Sequence, residues 1–241
     1  MKRATAYFIL VLIIVAGCSA YRTAQFKKKY GPVQTVDRTV SAYKPGEVSF
    51  HNDVQPILER RCDVCHGCYD APCQLKLTCY EGLERGGTTK LVYDSARLRP
   101  VQPTRLFIDA NSVEEWRQMG FHPVFNERDQ TPQANLENSV VNLMLQLKKE
   151  NPLPETELLP ASFDISLDKK QNCTTAEDFS EYKRKYPLWG MPYALPGLTE
   201  KEHKTIVDWL RQGGLITPRP PMSAEARKII HQWEEFFNGS S

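Results

Sequence analysis

The sequence carries almost no excess of either charge. Its 241 residues include 31 Lys or Arg and 29 Asp or Glu, a formal net charge of +2. Lys2 and Arg3 lie in a segment that we expect to be removed, and the remaining chain then carries equal numbers of each sign. This balance excludes recruitment to nucleic acid by bulk charge. It indicates nothing about the oligomeric state.

Long apolar runs are absent after Gly17, so we expect no membrane-spanning helix beyond that point. Internal repeats and low-complexity segments are also absent. Apolar residues nevertheless make up 41% of the chain and aromatic residues 10%, which excludes a disordered protein. The 17 prolines exceed the usual share of ~5% and predict long connections between helices. Strands are few, with 90–93 a weak candidate, so the predicted fold is mainly α.

The N-terminus has the pattern of an export signal. Lys2 and Arg3 precede an apolar run from Ala6 to Ala16. A membrane-spanning helix needs about 20 such residues, whereas a signal peptide needs roughly 7–15. Residues 1–17 are therefore predicted to be a signal peptide.

The residues Val15-Ala16-Gly17-Cys18 resemble a bacterial lipobox, in which the cysteine becomes the lipidated first residue. Ordinary cleavage nearby, with Cys18 incidental, is the alternative. We expect lipidation, a polar tether over 18–45, and a periplasmic protein held at a membrane. The periplasm is oxidising, which matters for the other six cysteines.

Cys62, Cys65 and His66 form the attachment signature of c-type haem, Cys-x-x-Cys-His. Two thiols on one helical turn can both reach the vinyl groups of a porphyrin, and the next residue can then bind the iron as proximal ligand. The preceding residues fit a helix, since Asp53 can cap it and Ile57 and Leu58 follow at helical spacing. The sequence thus predicts covalently bound haem c.

Two other cofactor types use the same residues. Cys62, Cys65, Cys68 and Cys73 approach the iron–sulfur spacing, but the last gap is one residue too long and no proline follows. Such clusters are assembled in the cytosol, which conflicts with export in an unfolded state. A zinc knuckle or a redox Cys-x-x-Cys is the second alternative, and neither explains His66.

Met191 is the candidate sixth ligand of the haem iron. It lies in a Met-Pro loop that precedes a helix opened by a capping box of Thr199 and Glu202 and closed by Gly213. This arrangement is similar to the second half of many monohaem cytochromes c. A methionine that only packs beside the haem edge is the alternative.

His66 and Met191 are 125 residues apart, so the predicted cytochrome c-like haem domain is interrupted by a long, loop-rich helical insertion. We place the first half of the domain at 46–75, the insertion at 76–160 and the second half, with a C-terminal helix, at 161–241. Helix starts are predicted at Ser112, Asn135, Thr174 and Ser223.

Four further cysteines are candidates for disulfides: Cys68, Cys73, Cys79 and Cys173. Pairing Cys68 with Cys73 would close a small loop, and Cys79 could then join Cys173. The other two connectivities remain open, since four cysteines allow three pairings.

Five segments of the chain resemble the bacterial fatty acid cis/trans isomerase family. The most specific part is Cys-His-Gly-Cys-Tyr-Asp-Ala-Pro-Cys, which begins at Cys65. The similarity runs over 46–241, and its segments are Val48–Leu75, Glu81–Gly86, Pro103–Phe107, Gly120–Val124 and Tyr186–Pro192. Members of that family are much longer, so we expect this chain to correspond to their N-terminal, haem-bearing portion.

The resemblance implies a periplasmic haem c protein that converts cis double bonds of phospholipid acyl chains to trans. Cys62, Cys65 and His66 would hold the haem, whose iron would withdraw electron density from the double bond. Phospholipid acyl chains at the membrane surface are then the expected partners. A monohaem cytochrome c that only transfers electrons is the alternative. Roles for Arg85, Arg105, Trp116 and His122 toward haem propionates or lipid headgroups remain open.

Overall fold

The computed structural model describes residues 7, 21, 24–67, 71–90, 93–94, 97–98, 104–154, 158–159, 163, 172–218 and 224–238. Helices dominate these residues, which confirms the mainly α prediction. In the part of the chain so described, no helix combines the length and the apolar character that crossing a membrane requires. The predictions for Cys18, Cys68 and Ser223 concern residues outside the described ranges.

The helices and strands follow one another in chain order. A π-helical turn, Phe50–Val54, runs into the first α-helix, and a 3-10 turn, Pro72–Gln74, follows the second. The α-helices are α1 (Gln55–Arg61), α2 (Asp63–His66), α3 (Tyr80–Arg85), α4 (Val113–Gln118), α5 (Pro132–Glu137), α6 (Val140–Glu150), α7 (Phe179–Lys185), α8 (Glu200–Arg211) and α9 (Ala224–Asn238). Strands β1 (Tyr93–Asp94) and β2 (Arg97–Leu98) pair antiparallel, Tyr93 with Leu98 and Asp94 with Arg97.

Two helix starts are capped as the sequence predicts. The Thr199 hydroxyl accepts from the Glu202 backbone N–H, and the Glu202 carboxylate accepts from the Thr199 N–H, so the predicted capping box of α8 is present. Ser112 accepts from the backbone N–H of Glu115 at the start of α4. Each cap satisfies a backbone donor that would otherwise lack a partner in the first turn.

Three predicted helix starts are wrong. Asp53 is not the cap before α1, because the π-helical turn begins earlier and Ser49 caps it. Asn135 lies buried inside α5, whose cap is Thr131. Thr174 lies before α7, whose N-cap is Asp178.

One hydrophobic core joins residues from the predicted halves and from the predicted insertion. Trp209 of α8 is fully buried, and its ring centroid lies 5.4 Å from those of Phe50 and Phe125. Tyr80 of α3 packs edge-on against Phe50, at 5.1 Å between centroids. Both polar tips are satisfied, since Trp209 Nε1 donates to Leu215 O and the Tyr80 hydroxyl to Gly214 O, each at 2.8 Å. The segments flanking Cys62 and Met191 are therefore fixed to the same core.

The described part of the predicted tether packs against this body. Arg38 is 3% exposed, and its guanidinium donates to the carbonyls of Val36, Asn126 and Gly213. Thr39 forms a parallel bridge with Ile216. Residues 30–40 thus lie along the domain and are not a solvated part of the predicted tether. The carbonyl groups that accept from Arg38 hold this segment in place, since buried guanidinium donors need hydrogen-bond partners.

Candidate functional site

The Cys-x-x-Cys-His signature lies on a single helical turn. The backbone N–H groups of Cys65 and His66 both donate to the carbonyl of Cys62, at 3.1 and 3.0 Å. Both cysteines carry free thiols; Cys62 is half-buried against the core and Cys65 is exposed. The turn therefore presents two unpaired thiols beside a histidine, as haem attachment requires.

His66 is buried and held in one orientation. It is 8% exposed, and its Nδ1 lies 2.8 Å from the carbonyl oxygen of Leu75. Because a carbonyl only accepts, Nδ1 carries the hydrogen, which leaves a lone pair on Nε2. Burial lowers the pKa of His66 below its usual value and favours this neutral form. Nε2 has no hydrogen-bond partner among the described residues. A ring fixed through Nδ1, with Nε2 free, is the arrangement of metal-binding histidines.

Burial also sets the protonation of Cys62. It raises the pKa of the Cys62 thiol to about 12 and keeps this sulfur protonated. Redox Cys-x-x-Cys pairs instead depend on a stabilised thiolate. The environment of Cys62 therefore fits a redox motif poorly.

The four-cysteine alternatives lose one of their ligands. Cys73 forms a disulfide with Cys173, so its sulfur cannot serve an iron–sulfur or zinc site. No group of three or more His, Cys, Asp and Glu side chains suited to a metal converges in the ranges for which the structure gives positions; Cys68 is not among them. The described donors, two free thiols and one buried imidazole, match haem attachment.

The disulfide differs from the pairing considered first. Cys73 joins Cys173 across 100 residues, and Cys79 keeps a free thiol. A loop of this length contributes about 4–5 kcal/mol to stability in the chain-entropy model. The bridge fastens the segment just after His66 to the chain that leads to α7.

Met191 lies in a loop that contacts the segment carrying Cys62. Its backbone N–H donates to Met144 O of α6 at 3.1 Å, and its half-buried side chain packs against the main core, as Cys62 does. Arg61, directly before Cys62, donates to Gly197 O at 2.6 Å in the same loop. The fold thus brings the loop of Met191 into contact with the segment of Cys62, through a hydrogen bond between residues 136 positions apart.

Lys148 is a buried cation under this loop that the sequence did not reveal. It is 3% exposed, and its Nζ has no hydrogen-bond partner in the described part of the chain. Burial lowers the pKa of Lys148 to about 8. Its backbone abuts Gly190, and its Cγ lies near Gly197. Nothing in the sequence marks Lys148, because a lysine in the last turn of a helix is usually solvated.

The residues left with open roles lie in two different environments. The Arg85 guanidinium is buried against the rings of Trp116 and Phe121. The His122 backbone pairs with Gly87, and burial lowers the pKa of the His122 ring. Arg105 instead forms a 2.7 Å ion pair with Asp109 at the surface. Arg85 donates to the Gln74 carbonyl next to Cys73, and Gly87 lies between the His122 ring and Cys73.

An apolar groove of about 910 Å³ lies elsewhere on the molecule. Phe26, Leu143, Leu147 and Phe179 line it, and lysines stand at its rim. None of Cys62, Cys65, His66 and Met191 is among its lining residues. This groove is therefore a different surface from the one that carries the Cys-x-x-Cys-His turn.

Comparison with known families gives one match. A family model described as fatty acid cis/trans isomerase (CTI) matches residues 101–241. This region includes Met191, Lys148 and α4 to α9, and it begins after the Cys-x-x-Cys-His turn. No curated protein and no solved structure matches the chain.

Proposed function

Because the chain belongs to the fatty acid cis/trans isomerase family, we propose that it converts cis double bonds in phospholipid acyl chains to trans with a covalently bound haem c. The family match supports an isomerase that acts on fatty acyl chains. The haem proposal rests mainly on the environment of His66. This side chain is buried, and its Nδ1–H donates a hydrogen bond to the Leu75 carbonyl.

Each residue of the site has a distinct task in this proposal. Cys62 and Cys65 would hold the haem on the helical turn through thioether bonds, and His66 would bind its iron through Nε2. Met191 is the candidate second ligand, and the contact of Arg61 with Gly197 in the same loop supports this role. When bound, the haem iron supplies an electron-poor centre that weakens the π bond and permits rotation. The core that contains Trp209 also contacts Cys62 and Met191, and it therefore fixes the positions of their two segments relative to each other.

The location follows from the N-terminal residues. Residues 1–17 direct export, and a lipidated Cys18 holds the protein at a membrane in the periplasm. A single acyl chain anchors weakly, whereas a lipoprotein carries several. Phospholipid acyl chains at that membrane are the substrate in this proposal.

An electron-transfer cytochrome c is the second candidate, because a Cys-x-x-Cys-His turn and a methionine ligand are common to both. The two functions differ in what Met191 must do. An isomerase would need its substrate to approach the haem, so Met191 would have to move aside, whereas an electron carrier would keep Met191 in place.

Conversion of cis-monounsaturated phosphatidylcholine vesicles tests this choice. We expect the holoprotein to produce trans acyl chains without ATP or nicotinamide, measured by gas chromatography of the methyl esters. Met191→Ala should change the low-spin absorption spectrum to high-spin and leave conversion at least at the wild-type rate. Met119→Ala, which alters a half-buried methionine of another cluster, should change neither. A holoprotein that accepts electrons reversibly but yields no trans product would favour the electron carrier.

A further inference from the structure

The orientation of His66 depends on a short stretch of chain, Cys73–Leu75. Its last carbonyl accepts the His66 Nδ1 hydrogen at 2.8 Å. The Leu77 N–H returns a bond to the His66 backbone carbonyl at 3.0 Å. The Leu75 carbonyl lies one peptide beyond the Gln74 carbonyl, so a change in the backbone angles of Gln74 or Leu75 would move it and alter the distance and angle of the Nδ1 hydrogen bond.

This stretch adopts an unfavourable backbone conformation. Cys73 and Gln74 have φ angles of 60° and 50°. The left-handed region is disfavoured for residues with a Cβ, and two successive residues rarely occupy it. Such a conformation persists only where surrounding contacts hold it.

Those contacts come from three distant parts of the chain. The Gln74 side chain, 2% exposed, accepts at Oε1 from the Thr104 backbone N–H at 2.9 Å and from the Thr104 hydroxyl at 2.7 Å. Arg85 donates to the Gln74 backbone carbonyl. Cys73 accepts at its carbonyl from the Thr88 N–H at 2.8 Å and is bonded to Cys173.

Arg85 is itself fixed in place. It is 1% exposed, and its guanidinium lies 5.5 Å from the ring centroid of Trp116 and 5.1 Å from that of Phe121. A buried guanidinium with aromatic neighbours and carbonyl acceptors has few alternative positions. The contact that it makes with Gln74 is therefore rigid.

We propose that Arg85 and Thr104 are positioning residues that act through the Cys73–Leu75 segment. They hold the Leu75 carbonyl on His66, keep His66 in its Nδ1–H form and strengthen it as an electron donor to iron. A stronger Nδ1–H···O bond raises the basicity of the ligand and stabilises ferric over ferrous haem. The effect on haem rests on the proposed function, whereas the His66 tautomer exists in the haem-free protein as well.

Two readouts on the same variants test this role. In the haem-free full chain, long-range ¹⁵N–¹H correlation spectra report the His66 tautomer. In the haem-loaded full chain, a spectroelectrochemical titration reports the reduction potential. We expect Arg85→Gln to give mixed His66 tautomers. At a fixed applied potential it should also raise the ferrous-to-ferric ratio about tenfold, about 59 mV for one electron.

A milder pair of variants keeps the test valid if Arg85→Gln does not fold. Thr104→Val removes the hydroxyl donor but keeps the backbone donor, and should shift both readouts in the same direction by less. Thr104→Ser keeps the hydroxyl and should restore wild-type values. Ser112→Ala removes a helix cap outside the segment and should leave both readouts unchanged.

The outcomes separate this inference from the proposed function. Wild-type tautomer and potential in both folded Thr104→Val and folded Arg85→Gln would overturn the positioning role. If wild-type protein attaches no haem, the proposed function fails, and the tautomer spectra alone decide the positioning role. A shift in the Ser112→Ala control as large as that of Thr104→Val would contradict it too.

Discussion

Gly190→Ala is expected to lower the free energy of unfolding by about 3 kcal/mol, at the upper end of the range for overpacking. A Cβ at this position would lie 2.3 Å from the backbone nitrogen of Lys148 and 2.6 Å from its Cα. Both atoms belong to α6, so they cannot move as the end of a side chain would. The loop must retreat instead, and the hydrogen bond from Met191 N–H to Met144 O is lost.

Gly197→Ala is the matched control, because it adds the same methyl group to the same loop. Its Cβ would meet only Lys148 Cγ at 3.7 Å, an ordinary contact. Urea unfolding of both variants measures the difference, with a change of midpoint at constant slope indicating lost stability. Equal stability of the two variants would contradict the close packing of the Met191 loop on α6.

Replacing Cys62 and Cys65 together by Ser is expected to abolish covalent haem and to reduce acyl conversion to the background of vesicles alone. The two serines keep the size of the side chains, and neither cysteine takes part in the disulfide. The variant should therefore keep the wild-type circular dichroism of its helices. Haem content after denaturation and conversion of cis-unsaturated vesicles are the measurements.

Cys79→Ser provides the control for the double variant. Cys79 is also a free, half-buried cysteine, and burial raises its pKa as well. It lies outside the signature, so haem content and conversion should remain at wild-type levels. Full conversion by the folded Cys62→Ser, Cys65→Ser protein would remove haem from the proposed mechanism.

Signals that act within one helical turn were predictable from the sequence. The box of Thr199 and Glu202 was found because both partners are three residues apart and their exchange needs no distant contact. Asn135 misled for the opposite reason. Its polar side chain reads as a cap, but it is buried, accepts a hydrogen bond from Asn126 and donates to Arg211 O, contacts made by the tertiary fold.

The support of the site was not predictable, because it depends on long-range partners. Gln74 is fully buried only because Thr104 and Arg85 satisfy it from other parts of the chain. Cysteine pairing likewise follows from which segments meet, and the sequence left three connectivities open. Lys148 carried no signal, since a lysine at the end of a helix is usually solvated.

The candidate ligands come from local patterns in the sequence, and their binding to haem stays a prediction. Cys62, Cys65 and His66 form a local motif, and the structure adds the orientation of His66, whose Nδ1–H donates to the Leu75 carbonyl. Met191 was identified from its loop and the following helix. The structure adds that Arg61 and α6 bring this loop to the segment of Cys62.

The intact mass of the wild-type protein, expressed with export and haem-attachment machinery, tests the central claim most directly. The Cys-x-x-Cys-His signature formed by Cys62, Cys65 and His66 predicts a protein with one covalently bound haem. This haem should stay on the chain after denaturation and acid extraction. A protein that lacks the mass of one haem, with Cys62 and Cys65 either free or joined to each other, would contradict the account.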